Sequence, residues 1–318
     1  MEGVKYYPSF SKIKARLSKA LKEERPDLVI LVDSRDFNLR IARLAKKLGL
    51  LTLYYIAPPV WALNDWQTRR ISRNIDRIIA IFSFEAETYR KAKANVSLVG
   101  YPLVDLVRPS MSKEETLRKF NLTAERLIVG LLPGSRKHEI KKILPLILKV
   151  AAKLTKEFKD IQFLLAEASP VFHSEITRIV SGTDLPLKII SDRPYDLMNV
   201  SDLLITASGT ATLEAAFLDT PMIVIYKTSF STWLIGQILI KLPYIALPNI
   251  IAGEEIVPEL IGFRLTVKRL TSIALELLGE KEKLEKMRVR LREVTEKLGK
   301  AGAVDRTARI VVEMVNSS

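Results

Sequence analysis

Nine short runs of apolar and β-branched residues recur along the chain. They lie at 27–33 (DLVILVD), 50–57, 77–82, 96–100, 126–134, 161–168, 187–191, 202–209 and 221–227. Each is close to continuously hydrophobic, as parallel strands covered on both faces require. Helix-period stretches lie between them. In one, Ile140, Ile143, Leu144, Ile147, Val150, Ala151 and Leu154 form a single i, i+3, i+4 stripe. Strand–helix alternation of this kind predicts an α/β fold of doubly wound parallel sheets.

The alternation breaks once, over residues 108–126, a polar segment with Pro109 and clustered Ser and Thr but no strand signal. It is read as a linker between two Rossmann-like domains that face each other across a cleft. The first domain is expected over 1–110, joined by a C-terminal helix over 302–318, and the second over 111–301. Beyond residue 265 the pattern is helical throughout. Residues 281–300, with eight basic and four acidic side chains, read as a solvated helix. Ligands of such folds sit at the C-terminal ends of the strands, so the loops there are where chemistry is sought.

Composition narrows the classes. The 318 residues carry a net charge of +14 and no cysteine, which excludes disulfides, zinc fingers and thiol nucleophiles. Residues 1–100 hold nineteen basic and ten acidic side chains, a net +9. Such an excess suits an anionic lipid surface or a phosphorylated substrate, and no zinc-finger or RNA-binding aromatic pattern accompanies it. The first twenty residues lack the apolar core of a signal peptide. The greasy stretch over 233–253 is broken by Lys241, Pro243 and Pro248, too often for a spanning helix. A cytoplasmic or surface-bound protein is expected.

Five segments carry candidate chemistry. In DLLITASGTATLEAA a strand ends at Ala207, and Ser208, Gly209, Thr210, Ala211 and Thr212 open a helix. Small residues there allow close approach of a phosphate, and Glu214 stands one turn in, where it would accept bonds from ribose hydroxyls. The competing reading is an ordinary helix start capped by Thr. In LLPGSRKHEI, Ser135 and Arg136 follow a strand and suit a diphosphate; His138 reads as a surface or capping residue and His173 has no catalytic context. In DLVILVDSRDFNLR, Asp33 and Asp36 follow a strand end, one as turn or cap and the other as a general base, while Asn38 helps to start the next helix. In APPVWALNDWQTRRISRN, Val60, Trp61, Trp66, Arg69 and Arg70 form an apolar and basic loop suited to an acylated, phosphorylated acceptor or a bilayer. The fifth, over 231–255, holds Asn249 and Gly253 near the expected cleft.

These motifs, LLPGSRKHEIKKILP, ASGTATLEAAFLDTPMIVIYK, LPYIALPNIIAGEEIVPEL, VDSRDFNLR and APPVWA, resemble the lipid-A-disaccharide synthase family from about residue 10 to 260. The resemblance implies an inverting glycosyltransferase of the B fold that needs neither metal nor other cofactor. It implies condensation of UDP-2,3-diacylglucosamine with 2,3-diacylglucosamine 1-phosphate, giving lipid A disaccharide 1-phosphate and UDP. It also implies a peripheral protein on the cytoplasmic face of the inner membrane, with no nucleic-acid partner. Asp36 and Asn249 are then the catalytic candidates. Arg136, Ser135, Ser208 to Thr212 and Glu214 hold the nucleotide-sugar. A different UDP-sugar transferase of the same fold, or a homologue that binds UDP or membrane without turnover, is the alternative.

Three departures stand out. Residues 100–102 read Gly-Tyr-Pro where the family has Gly-His-Pro, and 34–35 read Ser-Arg where a proline precedes the Asp. The strand and Gly-rich loop with which the family opens have no counterpart in the sequence. Strand 27–33 is therefore expected at a bare sheet edge, partly covered by a helix over 1–25, with weak or absent turnover. The alternative is that residues 1–25, or a second copy of the chain in a homodimer, cover the edge and the site survives.

Overall fold

The computed structural model describes residues 7–58, 65–227 and 244–317. The chain divides into two compact units, residues 1–105 with 298–318, and residues 106–297. The crossings lie a few residues before the 110 and 302 expected from the sequence pattern.

The first unit begins with α1 (Tyr7–Glu24) and β1 (Leu28–Val32). It continues through α2 (Arg35–Lys47), β2 (Leu51–Tyr55), α3 (Asp65–Asn74), β3 (Arg77–Ala80), α4 (Ser83–Lys91), β4 (Val96–Leu98) and α5 (Leu103–Leu106). The four strands are parallel and lie in chain order, β1-β2-β3-β4. The sheet is thus wound one way among the described residues, rather than doubly wound. As expected of residues 27–33, β1 pairs on one side only among the described residues, and Ile30 and Val32 are about half exposed. Leu31, Ile41, Ala42, Ala45, Tyr54, Ile71 and Ile78 form the core between the sheet and its helices.

The second unit starts with α6 (Lys113–Lys119), inside the segment read as a linker. Ser112 and Glu115 close a capping box there, a pattern legible in S-x-x-E spacing. The buried Asp196 ties this segment down by accepting from Ser110 N at 2.7 Å and Met111 N at 3.0 Å. Then follow β5 (Ile128–Leu132), α7 (Lys137–Glu157), β6 (Gln162–Glu167), α8 (His173–Val180), β7 (Leu187–Ser191), α9 (Pro194–Val200), β8 (Leu203–Ala207), α10 (Ala211–Phe217) and β9 (Met222–Tyr226). After them come α11 (Leu247–Ala252), β10 (Glu259–Ile261), α12 (Val267–Gly279) and α13 (Lys281–Glu296), and α14 (Ala303–Asn316) returns to the first unit. Every residue of the predicted α7 stripe is buried. The helix expected to be solvated, α13, buries Leu284, Met287, Leu291 and Val294 on one face. Its charges hid an apolar stripe spaced by three and four residues.

The second sheet is parallel, with order β10-β9-β8-β5-β6-β7. From β5 the chain winds outward to β7, then returns to β8 and winds the other way. The loops that follow β5 and β8 therefore leave adjacent strands in opposite directions, which is a topological switch point and the usual ligand crevice of such sheets.

Candidate active site

Strand register sets the site in the second unit. Leu132 stands opposite Thr206, so the turn after β5 and the loop after β8 lie side by side. In the first of these, Gly134 has φ +110°, and a Cβ there would meet Glu139 Cβ at 2.8 Å. Glycine meets both constraints. The carboxylate of Glu139 accepts from Ser135 N at 3.0 Å and Arg136 N at 3.2 Å, and pairs with Arg136 Nη1 at 3.0 Å. Glu139 was not singled out from sequence. It shapes the turn and occupies one guanidinium donor, while the Arg136 side chain stays 71% exposed with further donors in its planar fork. His138 is exposed on α7.

The loop after β8 is built differently. Gly209 and Thr210 are exposed, and a Cβ on Gly209 would meet nothing within 4 Å. Thr210 stands at the helix N-cap with helical backbone angles and makes no side-chain cap, so capping does not explain this sequence. Thr212 differs from the expectation of a ligand donor: it is buried and its hydroxyl donates to Gly209 O at 2.8 Å. Glu214 is partly buried, and desolvation raises its pKa above the ordinary carboxylate value. Its charge lacks a hydrogen-bond donor among the described residues.

Asn249, expected to act catalytically, has no exposed surface. Its Nδ2 donates to Val257 O and to Glu259 Oε1, both at 2.8 Å; its Oδ1 accepts from Ile256 N at 2.8 Å and Val257 N at 3.0 Å. Two donors and two acceptor positions are the whole capacity of an amide. The chain itself consumes them, so the role this geometry gives Asn249 is to hold shape. Glu259 and β10 were missed from sequence, because a three-residue strand has too few positions to show a period.

In the first unit the turn after β1 carries Asp33 and Ser34 with φ of +50° and +28°, a region non-glycine residues rarely occupy. Neighbours hold it there. Tyr54 donates its hydroxyl to Asp33 O at 2.6 Å, and Asn38 Nδ2 donates to Val32 O at 2.8 Å and Asp33 O at 3.0 Å. Burial pushes the Tyr54 phenol up to about 12, so it stays a donor. Asn38 therefore ties the turn from inside α2 rather than starting the helix, and Asp33 is the turn residue. Asp36, in the first turn of α2, keeps an 85% exposed side chain, with Arg35 Nε at 3.4 Å.

On α3, Trp66 is 57% exposed, with the Arg70 guanidinium 5.5 Å from its ring centroid; Arg69 is exposed beside it. Val60 and Trp61 lie outside the described residues. His173, read as lacking context, has one: its Nδ1 lies 2.7 Å from the buried Glu167, which also accepts from Ser191 Oγ at 3.1 Å. Strands β6 and β7 and the start of α8 bring these residues together across gaps of six and 24 positions, which no local motif signals. Among the described residues, no helix is long and apolar enough to cross a membrane.

Comparisons with known proteins bear on the fold and on the family. Among solved structures, the UDP-GlcNAc 2-epimerase of Neisseria meningitidis bound to UDP-GlcNAc matches with a TM-score of 0.68 at 15% identity, covering 97% of this chain and 81% of that one. The S. aureus MnaA–UDP co-structure matches with a TM-score of 0.67 at 15% identity, covering 98% and 82%. These likenesses establish the fold of two Rossmann-like units. Sequence goes further. The lipid-A-disaccharide synthase of Geobacter sulfurreducens is 42% identical over 299 residues, 94% of this chain and 78% of that protein. That of Geobacter metallireducens is 40% identical over 315 residues, 99% and 82%. The family model described as lipid-A-disaccharide synthetase matches residues 1–312, and the chain belongs to that family.

Proposed function

We infer that this chain is the glycosyltransferase of lipid A biosynthesis that joins two acylated glucosamine units and releases UDP. The observation that carries the reading is the switch point of the second sheet, where the Arg136 turn and the Ser208–Glu214 loop stand side by side in a member of this family. The second unit takes UDP-2,3-diacylglucosamine. Arg136 makes charge-assisted hydrogen bonds to the diphosphate, exposed Ser135 and the open backbone at Gly209 and Thr210 flank it, and Glu214 accepts from ribose hydroxyls. Such bonds offset the desolvation that now raises its pKa.

The first unit takes 2,3-diacylglucosamine 1-phosphate. The Asp36 carboxylate removes the proton of the acceptor's 6-hydroxyl, that oxygen bonds to the donor's anomeric carbon, and the carbon–phosphate oxygen bond breaks with inversion. The electron pair leaves on UDP, whose growing charge Arg136 offsets. Exposed Trp66, Arg69 and Arg70 on α3 face an anionic bilayer, where each cation near the surface contributes about 1 kcal/mol.

Turnover of the two acylated substrates, followed by UDP release, tests the reading. Disaccharide formation that Asp36→Ala lowers by about 10²–10⁴-fold supports it, the range for loss of a general base. Full activity in that variant, or use of water-soluble acceptors only, overturns it. Binding to anionic vesicles that weakens with salt and with Arg69→Glu/Arg70→Glu tests the membrane face. Binding indifferent to both removes it.

A further inference from the structure

Two motifs far apart in sequence meet through one carboxylate. Glu259, first residue of β10, is held in register against Val224 of β9. Its Oε1 accepts from Ala246 N at 2.9 Å and Asn249 Nδ2 at 2.8 Å, and its Oε2 accepts from Ile245 N at 2.9 Å. The carbonyl of that same Ile245 accepts from Ser208 Oγ at 3.2 Å. A continuous chain of hydrogen bonds thus runs from Glu259 through Ile245 to the first residue of the loop after β8. Asn249 is the second strut, fixed by its bonds to Glu259 and to Val257 O.

We propose that Glu259 is a positioning residue for nucleotide-sugar binding: it holds residues 245–249 against Ser208 and so sets the shape of the Ser208–Thr212 loop. The charge matters. Three backbone and side-chain N–H groups point at one carboxylate, and a charged acceptor strengthens such bonds roughly twofold over a neutral one. Without it, the N–H groups of Ile245 and Ala246 lose their acceptor, the Asn249 amide loses a bond, and Ser208 loses a fixed partner. Glu259 touches no reacting atom in this role. It acts through Ile245.

The inference rests on the second unit being the UDP-sugar site, and the experiment separates the two. Calorimetry measures the Kd for UDP of the full chain, and steady-state turnover with both acylated substrates measures each KM and kcat. Glu259→Ala is expected to raise the Kd for UDP and the donor KM by about tenfold, the size of one net hydrogen bond to a charged group, and to leave the acceptor KM unchanged. Glu259→Gln keeps one acceptor oxygen and is expected to fall between. In a Ser208→Ala background, where the link is already cut, Glu259→Ala is expected to cost less than in the parent chain. Should Glu259→Ala fail to fold, as judged by circular dichroism, Glu259→Gln carries the test, alone and in the Ser208→Ala background. A parent chain that does not bind UDP overturns the site reading itself. A parent that binds UDP, beside folded Glu259 variants with unchanged Kd and donor KM or with effects that simply add to Ser208→Ala, overturns the positioning role.

Discussion

The turn after β1 and the segment that braces the loop after β8 solve the same problem in opposite ways. Each must present side chains at the C-terminal end of a parallel sheet. At the first, Asp33 and Ser34 sit at positive φ, and two outside donors, Tyr54 and Asn38, pin one carbonyl. The strain is local and its support comes from a neighbouring strand and helix. At the second, Ile245, Ala246 and Asn249 converge on Glu259 by a network in which the Asn249 amide has nothing left to give. The first arrangement leaves Asp36 solvated beside a rigid turn, with Arg35 next to it. The second commits its polar groups to rigidity and leaves the contact surface to Ser208, Gly209 and Thr210. Rigidity held under strain and rigidity built from saturated hydrogen bonds fail differently when a residue is removed, so mutation distinguishes them.

The largest difference is expected between activity and stability at Asp36. Because the side chain is 85% exposed, Asp36→Asn should leave thermal stability within about 0.5 kcal/mol. Its turnover should fall about 10²-fold or more, read by UDP release and a melting curve on the same sample. Asn249→Ala should do the reverse first. It strands Ile256 N, Val257 N and part of the Glu259 carboxylate, so unfolding in urea should show a loss of about 3 kcal/mol.

A third test uses pH. Burial raises Glu85, at the start of α4, to about 7. The folded state therefore holds this proton more tightly than the unfolded chain, whose carboxyl titrates near 4.5. The stabilisation is complete below that value and is lost as pH rises to about 7, by an amount on the order of 3 kcal/mol. Urea midpoints at pH 4.5 and 7.5 should reveal it, and Glu85→Gln should flatten the slope. The smallest effect is expected from Tyr54→Phe. Loss of one hydroxyl at Asp33 O should cost about 1 kcal/mol and lower kcat more than it raises the Kd for UDP. A Kd that moves instead would break the assignment of this turn to the first unit's chemistry.

Periodicity alone determined much of this protein. The nine apolar runs became strands, and the α7 stripe was buried residue for residue. Burial of apolar groups is the main driving force of folding, and it acts on local pattern, whether a continuous run or positions spaced by three and four. The loops after β5 and β8 were legible for a related reason: Gly134 marks its turn by a backbone angle that favours glycine, and Ser208 to Thr212 form a run of small residues after a strand. Motif likeness also pointed to the family. The charged surface of α13 masked its buried face, since charge is seen in composition and the apolar period only when counted.

What tertiary structure decided was which polar atoms are already engaged. Asn249 and Thr212 look, in sequence, like groups poised for a ligand, yet their partners at Val257, Glu259 and Gly209 consume them. Glu139 and Glu259 look like surface acids and prove to be the braces of two loops. Tyr54 reads as a core strand residue, and its hydroxyl pins a turn 21 residues away. The physical reason is common to all five. Hydrophobic burial is non-directional and sums over a local pattern, whereas a hydrogen bond is satisfied by one partner at one distance and angle, and that partner is chosen only when the strands of the sheet have been laid in order.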